Sequence, residues 1–168
     1  MFAVIITAGS IFTSRNNTFL RIMKGEFSNA VIVYNKDYAL VFGISDYEQY
    51  YTAKNIIKAN ELYTAMMIDY DGEYSLKLAD ECGCLNFVSD TIIYEDGNSV
   101  NTQGFRKTLW DGVEISYSNT DEKCVDLKID NTYFSFDEDE LANTEKYDII
   151  YTVNDNGYIM KGVNKWAG

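Results

Sequence analysis

Histidine and proline are both absent from this 168-residue sequence, and cysteine occurs three times. Without an imidazole there is no Ser-His-Asp or Cys-His nucleophile, no histidine metal ligand, and no unperturbed side chain titrating near neutrality as a general base. Most hydrolytic mechanisms thereby lose a component, and no catalytic residue is predicted. The lack of proline leaves the turns to Asn, Asp and Gly, and has no functional meaning. Cys82, Cys84 and Cys124 are odd in number and match neither a metal quartet nor a disulfide framework, so reduced thiols are expected. The Cys82-Gly83-Cys84 pair follows Asp80 and Glu81 with no cation beside it, a setting that disfavours the thiolate a redox pair needs.

Long apolar runs are missing too. The opening MFAVIITAGSIFTS lacks the positive lead of a signal peptide and is too short to cross a bilayer. It reads as a buried first strand of a cytoplasmic protein. Its AGS at positions 8–10 has neither the lysine of a phosphate-cradling loop nor the glycine spacing of a dinucleotide fold, so no nucleotide cofactor is expected.

Positive charge is scarce. Lys and Arg total 14 against 26 Asp and Glu, a net charge of −12. The excess is uneven: residues 1–60 hold six basic and four acidic side chains (6 − 4 = +2), and residues 61–168 hold eight and 22 (8 − 22 = −14). Such a field repels nucleic acid and anionic membranes and attracts basic partners in a salt-dependent way. Phe105-Arg106-Lys107 with Trp110 is the one cluster of basic and aromatic side chains, and it reads as an exposed loop rather than a nucleic-acid surface.

Apolar residues form 46% of the chain and aromatics 15%, which places it among folded proteins. A chain of this length with no linker composition reads as one domain, residues 1–168. Turn signals at Asn35-Lys36-Asp37, Asp71-Gly72, Asp96-Gly97, Asp111-Gly112 and Asn156-Gly157 are each followed by strand-type residues. The clearest hairpin runs from Val113 to Asp130, with Val113, Ile115 and Tyr117 alternating against polar neighbours, then Val125, Leu127 and Ile129 doing the same. Similar hairpins are expected at 30–34 with 38–44, 64–69 with 74–79, and 148–153 with 157–163.

One helix is predicted over about 46–59. Ser45-Asp46-Tyr47-Glu48 fits a capping box, and Tyr47, Tyr50, Ala53 and Ile57 recur at helical spacing. A second, short acidic helix is predicted over about 137–147, where Asp137, Glu138, Asp139 and Glu140 match an N-terminal turn stabilised by the helix dipole. The fold class is α+β, mostly antiparallel sheet built from hairpins.

Calcium finds weak support. Asp69, Asp71 and Glu73 alternate, and Asn154-Asp155-Asn156-Gly157 offers oxygens, but neither continues into a twelve-residue loop with a terminal Glu. Both are accounted for as turns, and no metal site is predicted. A carboxylate pair acting on a glycosidic bond has no specific signal, because any acidic β-rich chain supplies candidate pairs.

The acidic run suggests a contact surface. Glu114, Asp126 and Asp130 fall on one exposed strand face by alternation, Asp121 and Glu122 lie at that hairpin's tip, and Asp137, Glu138, Asp139 and Glu140 follow. Carboxylates about 7 Å apart along a strand can imitate a nucleic-acid backbone. Among the crowded tyrosines, Tyr47 and Tyr51 are candidate anchors, since Tyr is enriched at interface centres. The expectation is a non-enzymatic acidic protein, without cofactor, that binds and inhibits a basic nuclease or other nucleic-acid-handling protein, as a phage-type anti-defence inhibitor does. The alternatives are an immunity protein against a toxic nuclease and a virion or assembly component.

Overall fold

The computed structural model describes residues 17–70, 72–89, 92–95, 98–101, 103–120, 122–142 and 147–163, with the backbone alone for 92–95 and 98–101. The expected first strand at residues 1–14 lies outside them. In chain order the elements are β1 (Thr18–Met23), β2 (Ala30–Tyr34), β3 (Tyr38–Phe42), α1 (Tyr47–Ala59), β4 (Tyr63–Asp69), α2 (Glu73–Cys82), β5 (Asn86–Ser89), β6 (Ile92–Glu95), β7 (Asn98–Asn101), β8 (Gly104–Trp110), β9 (Val113–Asn119), β10 (Lys123–Ile129), β11 (Thr132–Asp137), α3 (Glu138–Ala142), β12 (Asp148–Asn154) and β13 (Gly157–Val163). They form a nine-stranded sheet in the order β13-β12-β1-β2-β3-β4-β5-β6-β7 and a four-stranded sheet in the order β11-β10-β9-β8. The α+β class and its mostly antiparallel character are as the sequence implies.

The two sheets and the helices make three layers, and the sequence pattern of each strand follows from its layer. β2, β3 and β4 lie inside the large sheet with both faces covered, so they read as near-continuous apolar runs. Val31, Val33, Leu40, Phe42, Met66 and Ile68 face the small sheet, meeting Val113, Ile115, Tyr117, Val125, Leu127, Ile129 and Phe136. Ala30, Ile32, Ala39, Val41 and Met67 face the helices, meeting Tyr50, Ala53 and Ile57 of α1 and Leu78 of α2. β9 and β10 are covered on one face only and alternate as expected, with Val113 paired to Ile129 and Tyr117 to Val125. Each fully buried Val, Leu or Ile contributes roughly 1.5–3 kcal/mol.

Three expectations need correction. Residues 74–79 are not a strand paired with 64–69. β4 instead lies parallel to β3 and to β5, and α2 occupies 73–82. Tyr74, Leu78 and Cys82 recur every four residues and pack on the helix-side core, so helical periodicity outweighs the hairpin signal of Asp71-Gly72. Parallel neighbours need crossover connections, which α1 and α2 supply.

The cap of α1 is shifted by one residue. Asp46 is the N-cap and accepts from the Gln49 backbone N–H at 2.9 Å, while Gln49 Oε1 accepts from the Ser45 N–H at 2.9 Å. Asp46 rather than Ser45 therefore caps the helix, and the side chain that reaches back is Gln49, to the N–H of Ser45, rather than Glu48. α3 is described over Glu138–Ala142, and residues 143–146 of the expected acidic helix lie outside the described set. Asp137 caps it by accepting from the Glu140 N–H at 2.6 Å, and its single buried side chain is Leu141. The Leu141 carbonyl accepts from Asn29 N–H at 2.6 Å, which ties α3 to the β1–β2 loop. The presumed exposed loop at 105–107 is part of β8, whose Lys107 donates to Asn86 Oδ1 at 3.1 Å.

Candidate functional site

Strand pairing sets one end of the domain. Met23 pairs with Ala30, Val31 with Phe42, Phe42 with Ile68, and Asp69 with Ser89. The β1–β2 loop, the start of α1 and the start of α2 therefore share an end, at the carboxyl ends of the parallel strands. The small sheet contributes to the same end. Lys123 Nζ donates to the Tyr70 carbonyl at 2.6 Å and lies 5.5 Å from that ring's centre, and Leu141 approaches Gly43.

Carboxylates from five separate stretches gather there: Glu26 from the β1–β2 loop, Asp46 and Glu48 from the start of α1, Glu73 from α2, Glu122 beside β10, and Asp137, Glu138, Asp139 and Glu140 at α3. Glu26, Glu73, Glu122, Glu138, Asp139 and Glu140 are exposed. Lys123, by contrast, is turned inward to the Tyr70 carbonyl, so its charge is partly withdrawn from the surface. Two large aromatics stand out of this end, Phe27 at 73% exposure and Tyr47 at 55%.

The β1–β2 loop is held against α1 by a compact polar clamp. Gln49 is 1% exposed, and its Nε2 donates to the carbonyls of Met23 (3.2 Å) and Ser28 (2.6 Å). Asp46 Oδ2 accepts from the Glu26 N–H at 2.8 Å, and Ser28 Oγ donates to Ser45 Oγ at 3.0 Å. A Cβ on Gly25 would lie 2.1 Å from the Ser28 carbonyl oxygen and 2.2 Å from Gln49 Nε2, so only glycine fits inside this clamp. Beside it, Asp148 is 2% exposed and accepts from Arg21 Nη2 at 2.7 Å, Arg21 Nε at 3.0 Å and the Lys24 N–H at 2.8 Å. These hydrogen bonds tie the β1–β2 loop to α1 and β12.

The residues singled out by sequence divide among several places. Glu122 and Asp137 to Glu140 lie together at this end, since Cys124 pairs with Asp137 one residue beyond Lys123. Asp121 lies outside the described residues. Asp126 is on the outer face of the small sheet, where it accepts from Ser135 Oγ at 2.5 Å. That face is mixed rather than negative: Arg106 pairs with Glu114 at 3.2 Å, and Lys128 stands 6.0 Å from the Tyr133 ring centre.

Asp130 lies at the opposite end, roughly 17 Å away along β11. There its N–H donates to the Gly112 carbonyl at 2.7 Å, and Asn131 Nδ2 donates to the Asp155 carbonyl at 3.5 Å. Burial, then the charges of Asp155 and Asp111, push the Asp130 carboxyl pKa upward. The nine carboxylates that sequence grouped are thus not one patch.

Tyr47 and Tyr51 are exposed on α1 and stack on one another at 6.1 Å, with Tyr47 in the first turn beside the carboxylates. Tyr50 points inward instead and is 2% exposed. Burial raises the Tyr70 phenol well above its usual range, so it stays protonated. Burial disfavours the thiolates: it pushes Cys84 up to about 11 and raises Cys82 and Cys124. Among the described residues no group of three or more Asp, Glu or Cys side chains could hold a metal ion, and no helix is long and apolar enough to cross a membrane.

Sequence reasoning missed Glu26, Phe27, Asp46, Glu48 and Glu73 as members of the surface. Their signal was positional, since each lies in the loop or helix start that follows a strand, and the antiparallel β1–β2–β3 and parallel β3–β4 pairings together align those strand ends. Comparison of the chain with protein-family models, with curated proteins and with solved structures finds no match.

Proposed function

We propose that this chain is a non-enzymatic binding protein whose acidic end seats on the basic nucleic-acid groove of a partner protein and occludes it, in the manner of a phage-type anti-defence inhibitor. The observation that carries this reading is that carboxylates from five separate stretches lie at the end of the domain that also bears exposed Phe27 and Tyr47. A rim of negative charge speeds encounter with a basic groove and fixes register, and aromatic side chains supply the buried anchor. The clamp of Gln49, Asp46 and Gly25 holds the loop bearing Glu26 and Phe27, so little ordering is needed on binding.

The partner is a nuclease or another protein that handles nucleic acid, and the chain itself does not bind nucleic acid. The test is capture from the natural host's lysate, with a Glu138→Gln, Asp139→Asn, Glu140→Gln variant beside the native chain. Retention of one basic nucleic-acid-binding protein, lost with the variant and at high salt, supports the reading if the chain also blocks that protein's activity. Equal capture by the native chain and the variant would remove the acidic end from the account.

A further inference from the structure

We infer that β13 is a dimerisation edge, and that the chain associates with a second copy of itself by antiparallel pairing of β13 with β13. β13 closes one side of the large sheet and pairs with β12 alone among the described residues. Its outer backbone N–H and C=O groups therefore have no strand partner in the described structure. Protein sheets normally blunt such an edge by making it short, bulged, charged or covered. β13 is seven residues long and stays in unbroken register with β12 from Gly157 to Val163. Its one charged residue is Lys161, and Tyr158, Ile159 and Met160 are 58%, 75% and 59% exposed.

Charge selects the occupant. From Asn156 to Gly168 the sequence carries two lysines and no carboxylate, in a chain of net charge −12. Apart from Asp155 in the β12–β13 turn, a basic partner finds no carboxylate along this strand to attract it, whereas another copy meets far less negative charge at this edge than at the acidic end. The strand is also self-complementary under a two-fold axis through Met160. Ile159 then lies opposite Lys161, and Tyr158 opposite Gly162, so no like charges stand directly across.

The axis also separates the acidic ends. Val163 pairs with Asp148 near the acidic end, and Gly157 lies at the other end of the strand. Antiparallel pairing sets each copy's acidic end on the opposite side of the dimer from its mate's. Tyr158 is already packed, 6.0 Å from the Phe134 ring centre and 5.5 Å from that of Tyr151, so part of the contact is ordered before association. A seven-residue ladder falls short of the roughly 1,200–2,000 Å² of a stable interface, which makes the dimer concentration-dependent. This inference is independent of the proposed function.

The experiment is sedimentation and light scattering of the full chain over a concentration series, for the native protein, Ile159→Lys and Met160→Cys. The native mass is expected to rise from 19.2 kDa toward twice that value. Ile159→Lys sets two new like-charge pairs across the axis, Lys against Lys161, and should weaken association about tenfold or more with unchanged circular dichroism. Mild oxidation of Met160→Cys should yield a linked dimer that the native chain, with its three cysteines, does not give. A native chain that stays at 19.2 kDa at every concentration would overturn the inference, as would Ile159→Lys dimerising like the native protein. Should Ile159→Lys misfold, the absence of a linked Met160→Cys dimer decides against it.

Discussion

Replacing Gln49 with Ala should be among the most damaging single changes in the domain. The side chain is 1% exposed and takes part in four hydrogen bonds: to the carbonyls of Met23 and Ser28 as donor, and from the N–H and Oγ of Ser45 as acceptor. Each such bond contributes about 1 kcal/mol net, and a buried partner left unpaired costs about 1–3 kcal/mol. With two carbonyls and one N–H stranded, the loss should be about 4 kcal/mol. For a domain of this size that lowers Tm by about 8–16 °C, at roughly 2–4 °C per kcal/mol. Calorimetry and urea titration both read it.

Gln49→Glu sharpens the test. A carboxylate still accepts from Ser45 but has no hydrogen to give Met23 and Ser28, so at neutral pH it should be no better than Ala. Acidification restores one donor and should narrow the gap to the native protein. A loss below about 1 kcal/mol for Gln49→Ala would show that the loop is not held by this clamp, and the account of the acidic end as preformed would fail.

Three further outcomes follow from the same structure. Gly25→Ala forces a Cβ to within 2.2 Å of both the Ser28 carbonyl and the Gln49 amide, and should destabilise by about 2–4 kcal/mol in urea titration, whereas Gly162→Ala, with open space around it, should change little. Asp130→Asn should raise Tm at neutral pH. The folded carboxyl pKa lies above its unfolded value, so the native state loses stability as pH rises through that window, and Asn removes the loss while tolerating the φ of 50°. The gain should fade as pH falls below the unfolded carboxylate range, and a gain that is constant with pH would contradict this cause. Cys84, with its thiol pushed up to about 11 and donating to the Asn86 carbonyl at 2.9 Å, should alkylate in the native protein far more slowly than in the unfolded chain, as peptide mass spectrometry reads.

Local chemistry made much of the fold legible. The β2–β3, β9–β10 and β12–β13 hairpins follow from period-two patterning or apolar runs broken by Asn, Asp or Gly turns. α1 was readable from its 3.6-residue period, though Asp46 rather than Ser45 takes the cap, with Gln49 reaching back to the Ser45 N–H. α2 was not, since Asp71-Gly72 between two apolar stretches carries the same signal for a hairpin as for a strand-to-helix connection. Tyr74, Leu78 and Cys82 held the distinguishing period in a ten-residue window, short enough for the turn signal to dominate. The site was legible only in part. Asp137 to Glu140 are contiguous and visible, whereas Glu26, Asp46 and Glu73 join them through contacts across long sequence separations, such as Asn29 with Leu141 and Tyr70 with Lys123. Asp126 and Asp130 share a strand face by alternation, yet their surroundings are set by neighbours that alternation does not specify: Ser135 for one, Asp111 and Asp155 for the other.

The measurement that bears most directly on the central claim is competition for the captured partner between this chain and nucleic acid. Labelled nucleic acid should be displaced stoichiometrically by the native chain, with an apparent affinity that falls steeply with salt. The Glu138→Gln, Asp139→Asn, Glu140→Gln variant should displace it weakly, and with a shallower salt dependence. Simultaneous binding of chain and nucleic acid to the partner, or displacement that the variant performs as well as the native chain, would contradict occlusion by the acidic end.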